Sequence, residues 1–153
     1  MREDAWEQLL HLLRGRDLSA REAQRLLEER GHPRSQALSA VRKAHRLGLI
    51  DDEELAQNLS ERRSAGAPRG VLRVTQDLER REIADEAALK AAQGIDDAAR
   101  CAEALALYLT RNGRPEDHRA LSRLLSYLAR QGFTEESVRS ATAAVGIEVP
   151  WDA

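Results

Sequence analysis

The sequence is poor in several residue types, and each shortage narrows what the chain can be. Its single cysteine, Cys101, rules out an internal disulfide, which suits a reducing cytosol. Aromatic residues make up only 3% of the chain, so a core has to be built from leucine, alanine and valine. No apolar run approaches the roughly 18 residues of a membrane helix, and no segment alternates with the period of two that is typical of strands. We therefore expect an all-helical cytoplasmic protein.

The signatures of an enzyme are also missing. The histidines at positions 11, 32, 45 and 118 show no metal-ligand spacing with one another or with Cys101. No glycine-rich phosphate loop and no convincing nucleophile–base pair is visible. Cys101 lies in an apolar helical run, which favours a structural thiol. We expect no enzymatic activity, no metal and no cofactor.

What the sequence does contain is a threefold repeat. Gly31, Glu82 and Gly132 mark equivalent positions, which are 51 and 50 residues apart. Each marker follows an apolar trio with the spacing i, i+3, i+7, which is one face of a helix. The trios are Ala20, Ala23 and Leu27; Val71, Val74 and Leu78; and Leu121, Leu124 and Leu128. A fixed period of this kind is typical of stacked helical units.

Glycines and capping residues divide the chain into nine predicted helices. Eight of the nine glycines fall where a helix should end, and Gly70 is the exception. Ser19 with Glu22 is interpreted as a capping box. Further N-caps are expected at Asp51, Asp85, Asp96 and Thr134. The helices are predicted at 4–14, 20–30, 35–47, 52–64, 69–81, 86–93, 96–112, 117–131 and 135–145.

These helices group into three units, predicted at residues 4–50, 51–95 and 96–147, with a short tail at 148–153. The expected fold class is all-α, with three tandem three-helix repeats that form an elongated, curved array. In arrays of this type, the curved surface is usually the place where partners bind.

The junction between the first two units carries a helix-ending glycine, an apolar pair and an acidic helix start, Leu47-Gly48-Leu49-Ile50-Asp51-Asp52-Glu53. It is accompanied by Leu55-Ala56, Ser60-Glu61-Arg62-Arg63, Ala67-Pro68-Arg69-Gly70-Val71 and Leu128-Ala129-Arg130-Gln131-Gly132-Phe133. Together with the triple repeat, these segments resemble the RecX family of recombinase regulators over residues 5–147. Glu82 stands where that family usually has glycine, which raises the question of whether the turn after the fifth helix is the same.

The distribution of charge is more informative than the net charge of −2. Residues 62–81 carry six arginines against two acids, between two acidic stretches. The repeat alignment gives the fifth and eighth helices arginines where the first unit has Leu18, Glu22 and Glu29. These arginines are Arg69, Arg73 and Arg80, and Arg119, Arg123 and Arg130. The spacing i, i+4, i+11 puts each set on one side of its helix, and we expect both sets to face outward or sideways. The general abundance of arginine is an alternative explanation, since only two of the 24 lysine and arginine residues are lysines.

The resemblance implies a regulator that binds the RecA recombinase filament along its groove and modulates filament growth, ATP hydrolysis and strand exchange. The expected contact residues are the six arginines, with Arg62 and Arg63 as further candidates. Arginines of this kind could meet an acidic protein groove or the phosphates of single- or double-stranded DNA, and the pattern leaves both open.

Two other functions fit parts of the pattern. The second and third helices of each unit have the lengths of a helix-turn-helix pair, as in a DNA-binding transcriptional regulator. An adaptor that binds only protein is the other alternative. Tyr127 is the one aromatic placed to stack on single-stranded DNA. We expect a monomer.

Overall fold

A computed structural model describes residues 3–152 and contains nine helices over that range, with no strand. The all-α prediction is therefore confirmed, and the helix order agrees with three sets of three. The predicted bounds differ most at the end of the fourth helix, which was expected at residue 64 and is observed at Glu61. The last residue of the predicted tail, Ala153, lies outside the described residues. The helices are α1 Ala5–Leu13, α2 Ala20–Glu29, α3 Arg34–Arg46, α4 Asp52–Glu61, α5 Val71–Arg80, α6 Asp85–Gln93, α7 Asp97–Asn112, α8 His118–Gln131 and α9 Glu135–Ala144.

Most helix starts are explained by a local side-chain cap. Ser19 and Glu22 form the predicted capping box at the start of α2, with both reciprocal hydrogen bonds present. Asp51, Asp96 and Thr134 also cap the helices that follow them, as predicted. The predicted cap at Asp85 is wrong, because α6 begins at that residue and leaves it in the first turn of the helix.

The chain divides into two compact units that cut across the predicted repeats. The first consists of Met1–Leu59 with Asp77–Ala91, and the second of Ser60–Gln76 with Ala92–Ala153. The boundary therefore falls inside α5, between Gln76 and Asp77. The repeat limits at 4–50, 51–95 and 96–147 stay a prediction about domains.

Each unit has its own apolar core. In the first unit, α1, α2 and α3 pack around fully buried residues such as Leu9 and Leu27. In the second, α7 packs against α8 and α9 around Leu105, Leu124 and Leu128. The last two members of every apolar trio are buried, as the helical spacing predicts, and the first member is partly exposed.

An equivalent aspartate in each unit joins two helix starts that are distant in sequence. In the first unit, Asp52 accepts the N–H of Ala20 at 2.9 Å and that of Ala84 at 2.8 Å. In the second unit, Asp97 accepts the N–H of Val71 at 2.8 Å and that of Thr134 at 3.1 Å. Helix N-termini carry unsatisfied donors and partial positive charge, so one carboxylate stabilises two of them. These pairings explain why the compact units combine parts of different repeats.

Gly70, the one glycine not expected to end a helix, is required by a close approach of two backbone segments. Its N–H donates to the Gln131 carbonyl at 2.7 Å, and the N–H of Leu72 donates to the Gly132 carbonyl at 2.9 Å. A Cβ on Gly70 would overlap the Gly132 carbonyl group. The start of α5 and the end of α8 are thus held together backbone to backbone within the second unit.

The turn at Glu82 has the same left-handed conformation as its glycine equivalents. Its φ is 54°, compared with 92° at Gly31 and 93° at Gly132. A non-glycine residue is strained in this region. The Glu82 carboxylate is held by Arg25, whose Nε donates to Oε1 at 2.8 Å. The departure from glycine therefore changes the side chain and leaves the type of turn unaltered.

Candidate partner interface on helix α8

Helix α8 presents the clearest candidate surface in the second unit. Its buried face is formed by Leu124 and Leu128, and an aspartate at position 117 caps its start. The helix contains no acidic residue. The predicted arginines Arg119, Arg123 and Arg130 are all exposed, and none of their side chains hydrogen-bonds or forms an ion pair with another described residue. Three guanidinium groups are thus available on one side of a rigid helix, and each can hold a carboxylate or a phosphate in a bidentate manner.

The equivalent arginines of the fifth helix are used differently. The expectation that Arg69 faces outward or sideways is wrong. Arg69 is only 4% exposed, and it lies two positions before the first residue of α5. Its Nε donates to the Arg62 carbonyl at 2.9 Å. The Arg69 carbonyl in turn accepts from Nη1 of Arg100 at 3.1 Å, and the same nitrogen donates to the Ser60 carbonyl at 2.9 Å. Arg69 therefore organises the segment that links α4 to α5.

Arg73 is half-buried in the second unit and also has a structural partner. Its Nη1 donates to Oε1 of Gln131 at 3.1 Å. Gln131 is itself buried and donates through Nε2 to the Pro68 carbonyl at 3.3 Å. Because this chain of hydrogen bonds supports the α5–α8 contact, Arg73 is a poor choice for a partner contact.

Arg80 belongs to the first unit and is largely exposed. Its side chain has a relative exposure of 74% and pairs with Asp77 at 3.3 Å, one turn earlier on the helix. An exposed pair at this spacing contributes little to stability, so Arg80 is accessible to a partner.

Arg62 and Arg63 follow α4, and both are exposed in the second unit. Arg62 makes no side-chain hydrogen bond or ion pair with a described residue. Arg63 donates through Nη1 to Glu103 at 2.6 Å and to the Gly66 carbonyl at 3.0 Å. The hydrogen bond to Glu103 raises the pKa of Arg63 above its ordinary value. Arg62 is the more available of the two.

The remaining chemical candidates are engaged in packing. Burial raises the pKa of the Cys101 thiol to about 12, with a smaller contribution from the charge of Asp97. A thiol of this kind is protonated and unreactive at neutral pH. Tyr127 lies against Tyr108 with ring centroids 5.0 Å apart, so it is not a free platform for a base. Among residues 3–152, no group of three or more histidine, cysteine or acidic side chains is arranged to hold a metal. Over the same range, no helix is both long and apolar enough to cross a membrane.

Comparison with known proteins supplies the family. No family model matches the chain. A regulatory protein RecX of Halorhodospira halophila is 31% identical over 143 residues, covering 88% of this chain and 84% of that protein. The chain belongs to the RecX family. The RecX protein of Mycolicibacterium smegmatis is 29% identical over 140 residues, covering 87% of this chain and 74% of its own.

Solved RecX structures share the fold. The crystal structure of RecX from Lactobacillus salivarius superposes with a TM-score of 0.77, covering 94% of this chain and 96% of that chain at 14% identity. A second RecX crystal structure gives a TM-score of 0.69 at 20% identity, covering 91% of this chain and 70% of the other. Identities this low support the fold alone. The RecX relatives are named regulatory proteins, which indicates a regulatory role for this chain.

Proposed function

We propose that this chain binds the filament that RecA recombinase forms on DNA, and that binding restrains filament growth, ATP hydrolysis and strand exchange. The proposal follows from membership of the RecX family. We further propose that the protein is a cytoplasmic monomer and that it catalyses no reaction of its own.

The observation that best supports a binding role is the set of unpaired arginines on α8. Several arginines of the second unit have a partner within the protein, such as Arg63 with Glu103 and Arg73 with Gln131. Arg119, Arg123 and Arg130 have none among the described residues. Because these three lie on one side of a helix, an external acidic surface can engage them together. We propose that they form the main contact, and that the exposed Arg62 and Arg80 are further candidates.

The proposal is tested by titrating the protein into a reaction in which RecA hydrolyses ATP on single-stranded DNA, at two salt concentrations. We expect hydrolysis to fall when the protein is present at or below the concentration of RecA. Contacts to DNA phosphates would make this inhibition fall steeply as salt rises, because counterion release contributes to phosphate binding. Contacts to carboxylates in a protein groove give a weaker dependence.

Two results would count against the proposal. Unchanged ATP hydrolysis at stoichiometric protein removes its main claim. Sequence-specific binding to duplex DNA at physiological salt, without an effect on RecA, favours the helix-turn-helix alternative.

A further inference from the structure

A groove runs along α8 beside the three free arginines. It has a volume of about 420 Å³ and lies between the helix and the segment that follows α9. Leu121, Leu125 and Ala129 form the helical side, one turn apart from each other. The other side is formed by residues 149–151, Val-Pro-Trp. His118, Ser122 and Ser126 also line the helical side, so the groove has an apolar floor with polar residues beside it.

The C-terminal wall of the groove is held in place by the second unit. Val149 and Trp151 pack against the core of that unit, and Ile147 just before them is buried. The N–H of Trp151 donates to the Val149 carbonyl at 2.9 Å, and the guanidinium of Arg139 lies 4.7 Å from the centre of the Trp151 ring. The groove is therefore formed before any partner arrives, which lowers the entropic cost of binding.

The free arginines form a basic rim along this groove. Each follows directly after a groove-lining residue: Arg119 after His118, Arg123 after Ser122, and Arg130 after Ala129. Consecutive residues of a helix are about 100° apart, so the arginines lie next to the lining face along the whole helix. No acidic residue of α8 neutralises them.

We propose that this groove binds an amphipathic helical segment of the partner protein, with apolar residues on one face and acidic residues along the adjoining flank. The aliphatic lining accepts the apolar face, and the arginines pair with the acids. Leu121 and Ala129 are eight positions apart, which is about 12 Å at 1.5 Å per residue and matches about two turns of a docked helix. The inference rests on the proposed function, because the partner is taken to be RecA.

Single-stranded nucleic acid fits the groove less well. Base recognition without sequence preference relies on aromatic rings that stack on the bases. Trp151 has Arg139 over its ring, and Tyr127 on the other side of α8 packs against Tyr108. Neither ring is freely offered to a base, while the aliphatic lining suits the side chains of a protein.

The test is photo-crosslinking to assembled RecA filaments on single-stranded DNA. A benzoylphenylalanine replaces Ser126, an exposed residue at the groove, and in a control variant replaces Ser39, which is exposed on α3. We expect the probe at position 126 to label a RecA peptide with apolar residues every three or four positions and acids beside them. The probe at position 39 should leave that peptide unlabelled.

A second pair of variants tests the groove without a probe. Ala129→Glu places a carboxylate among the aliphatic groove residues, and because Ala129 is exposed, the fold should be retained. We expect it to weaken inhibition of RecA by about tenfold, because the carboxylate would be buried against the apolar face of the docked helix. Ala106→Glu, an exposed position on α7, should behave as the wild type.

The outcomes separate the groove from the function. A crosslink to DNA, to a second copy of this chain, or to a peptide without acids overturns the docking proposal. So does full inhibition by Ala129→Glu, which leaves the proposed function intact. If the wild-type protein neither binds nor inhibits RecA filaments, the proposed function fails and the docking proposal fails with it.

Discussion

Helices α2 and α8 occupy equivalent places in the sequence repeat, yet they use the same positions in opposite ways. On α2, Glu22 completes the capping box and accepts from Nε of Arg81 at 3.0 Å, and Glu29 pairs with Arg25 at 3.1 Å. On α8 the matching residues are Arg123 and Arg130, which are exposed and have no partner among the described residues. Positions that stabilise the fold in the first compact unit are thus available to a partner in the second compact unit.

Helix α5 shows an intermediate case that sharpens this contrast. Its arginine at the Glu22 position, Arg73, is satisfied by Gln131 within the protein. The shared arginine pattern of α5 and α8 therefore does not mean a shared role. Of the two arginine sets in the repeat alignment, the α8 set alone has all three side chains exposed and without a partner among the described residues.

The largest predicted effect is on stability, and it concerns the turns that end α5 and α8. Gly132→Ala would bring a Cβ onto the backbone of Arg73 at a residue with φ of 93°. We expect a loss of about 3 kcal/mol in the free energy of unfolding, measured with urea. Glu82→Gly at the equivalent turn should shift the urea midpoint far less, because glycine relieves the strain there. Equal losses in the two variants would mean that the turns are not distinguished by this backbone contact.

The next prediction compares the two bridging aspartates. Asp97→Ala removes the acceptor for two helix starts. We expect the free energy of unfolding to fall by about 2 kcal/mol, at roughly 1 kcal/mol per cap. Asp52→Ala should cost about the same, since it also serves two starts. Asp85→Ala is the control, because that side chain is 93% exposed and holds only a 3.5 Å pair with Arg21. Unchanged thermal unfolding of the Asp52 variant would show that the two units are not built alike.

The direct comparison of α2 with α8 predicts a smaller difference in stability. Glu22→Ala loses a capping-box partner and a partly buried ion pair, so we expect a loss of about 1 kcal/mol. Arg123→Ala should change the free energy of unfolding by less than about 0.5 kcal/mol, as for an unpaired surface residue. Glu28→Ala, an exposed change on α2, serves as the control. A loss for Arg123→Ala as large as that for Glu22→Ala would place Arg123 in the fold.

The smallest predicted effect concerns Cys101, which is fully buried in the second unit. Cys101→Ala should cost less than about 1 kcal/mol, because the volume change is small. In the folded protein the raised pKa, about 12, keeps the thiol protonated. The stabilising contribution of the protonated thiol is complete below the ordinary thiol pKa and is lost as the pH rises from there to about 12. We expect Ellman's reagent to react with the wild type at pH 8 only after urea is added. Rapid reaction of the folded protein would show that the thiol is accessible.

The fold was largely predictable because its signals are local. Glycines, caps and apolar spacing mark helix ends within a few residues, as at Ser19 and Thr134. The double role of Asp52 was not predictable, since it joins N–H groups that lie 32 residues away on either side. In the sequence, Asp52 belongs to a run of four acids at a helix start, and local reasoning assigns all four the same role.

The candidate site was predictable only in part, for the same reason. Helical spacing correctly placed Arg119, Arg123 and Arg130 away from the core of the second unit. It failed at Arg69, because the helix starts two residues later and the side chain is enclosed by a linker that folds back on itself. The groove beside α8 was missed because the sequence does not show which helix Val149 and Trp151 pack against.

The central claim is that the α8 arginines bind the RecA filament and do not serve the fold. The most direct test measures inhibition of RecA-catalysed ATP hydrolysis by Arg119→Glu combined with Arg123→Glu. Arg34→Glu combined with Arg42→Glu is the matched control, since both residues are exposed on α3 and unpaired among the described residues. We predict that the α8 variant needs at least about tenfold more protein for half-inhibition, with unchanged thermal unfolding, while the control acts as the wild type. Equal inhibition by both variants would contradict the account.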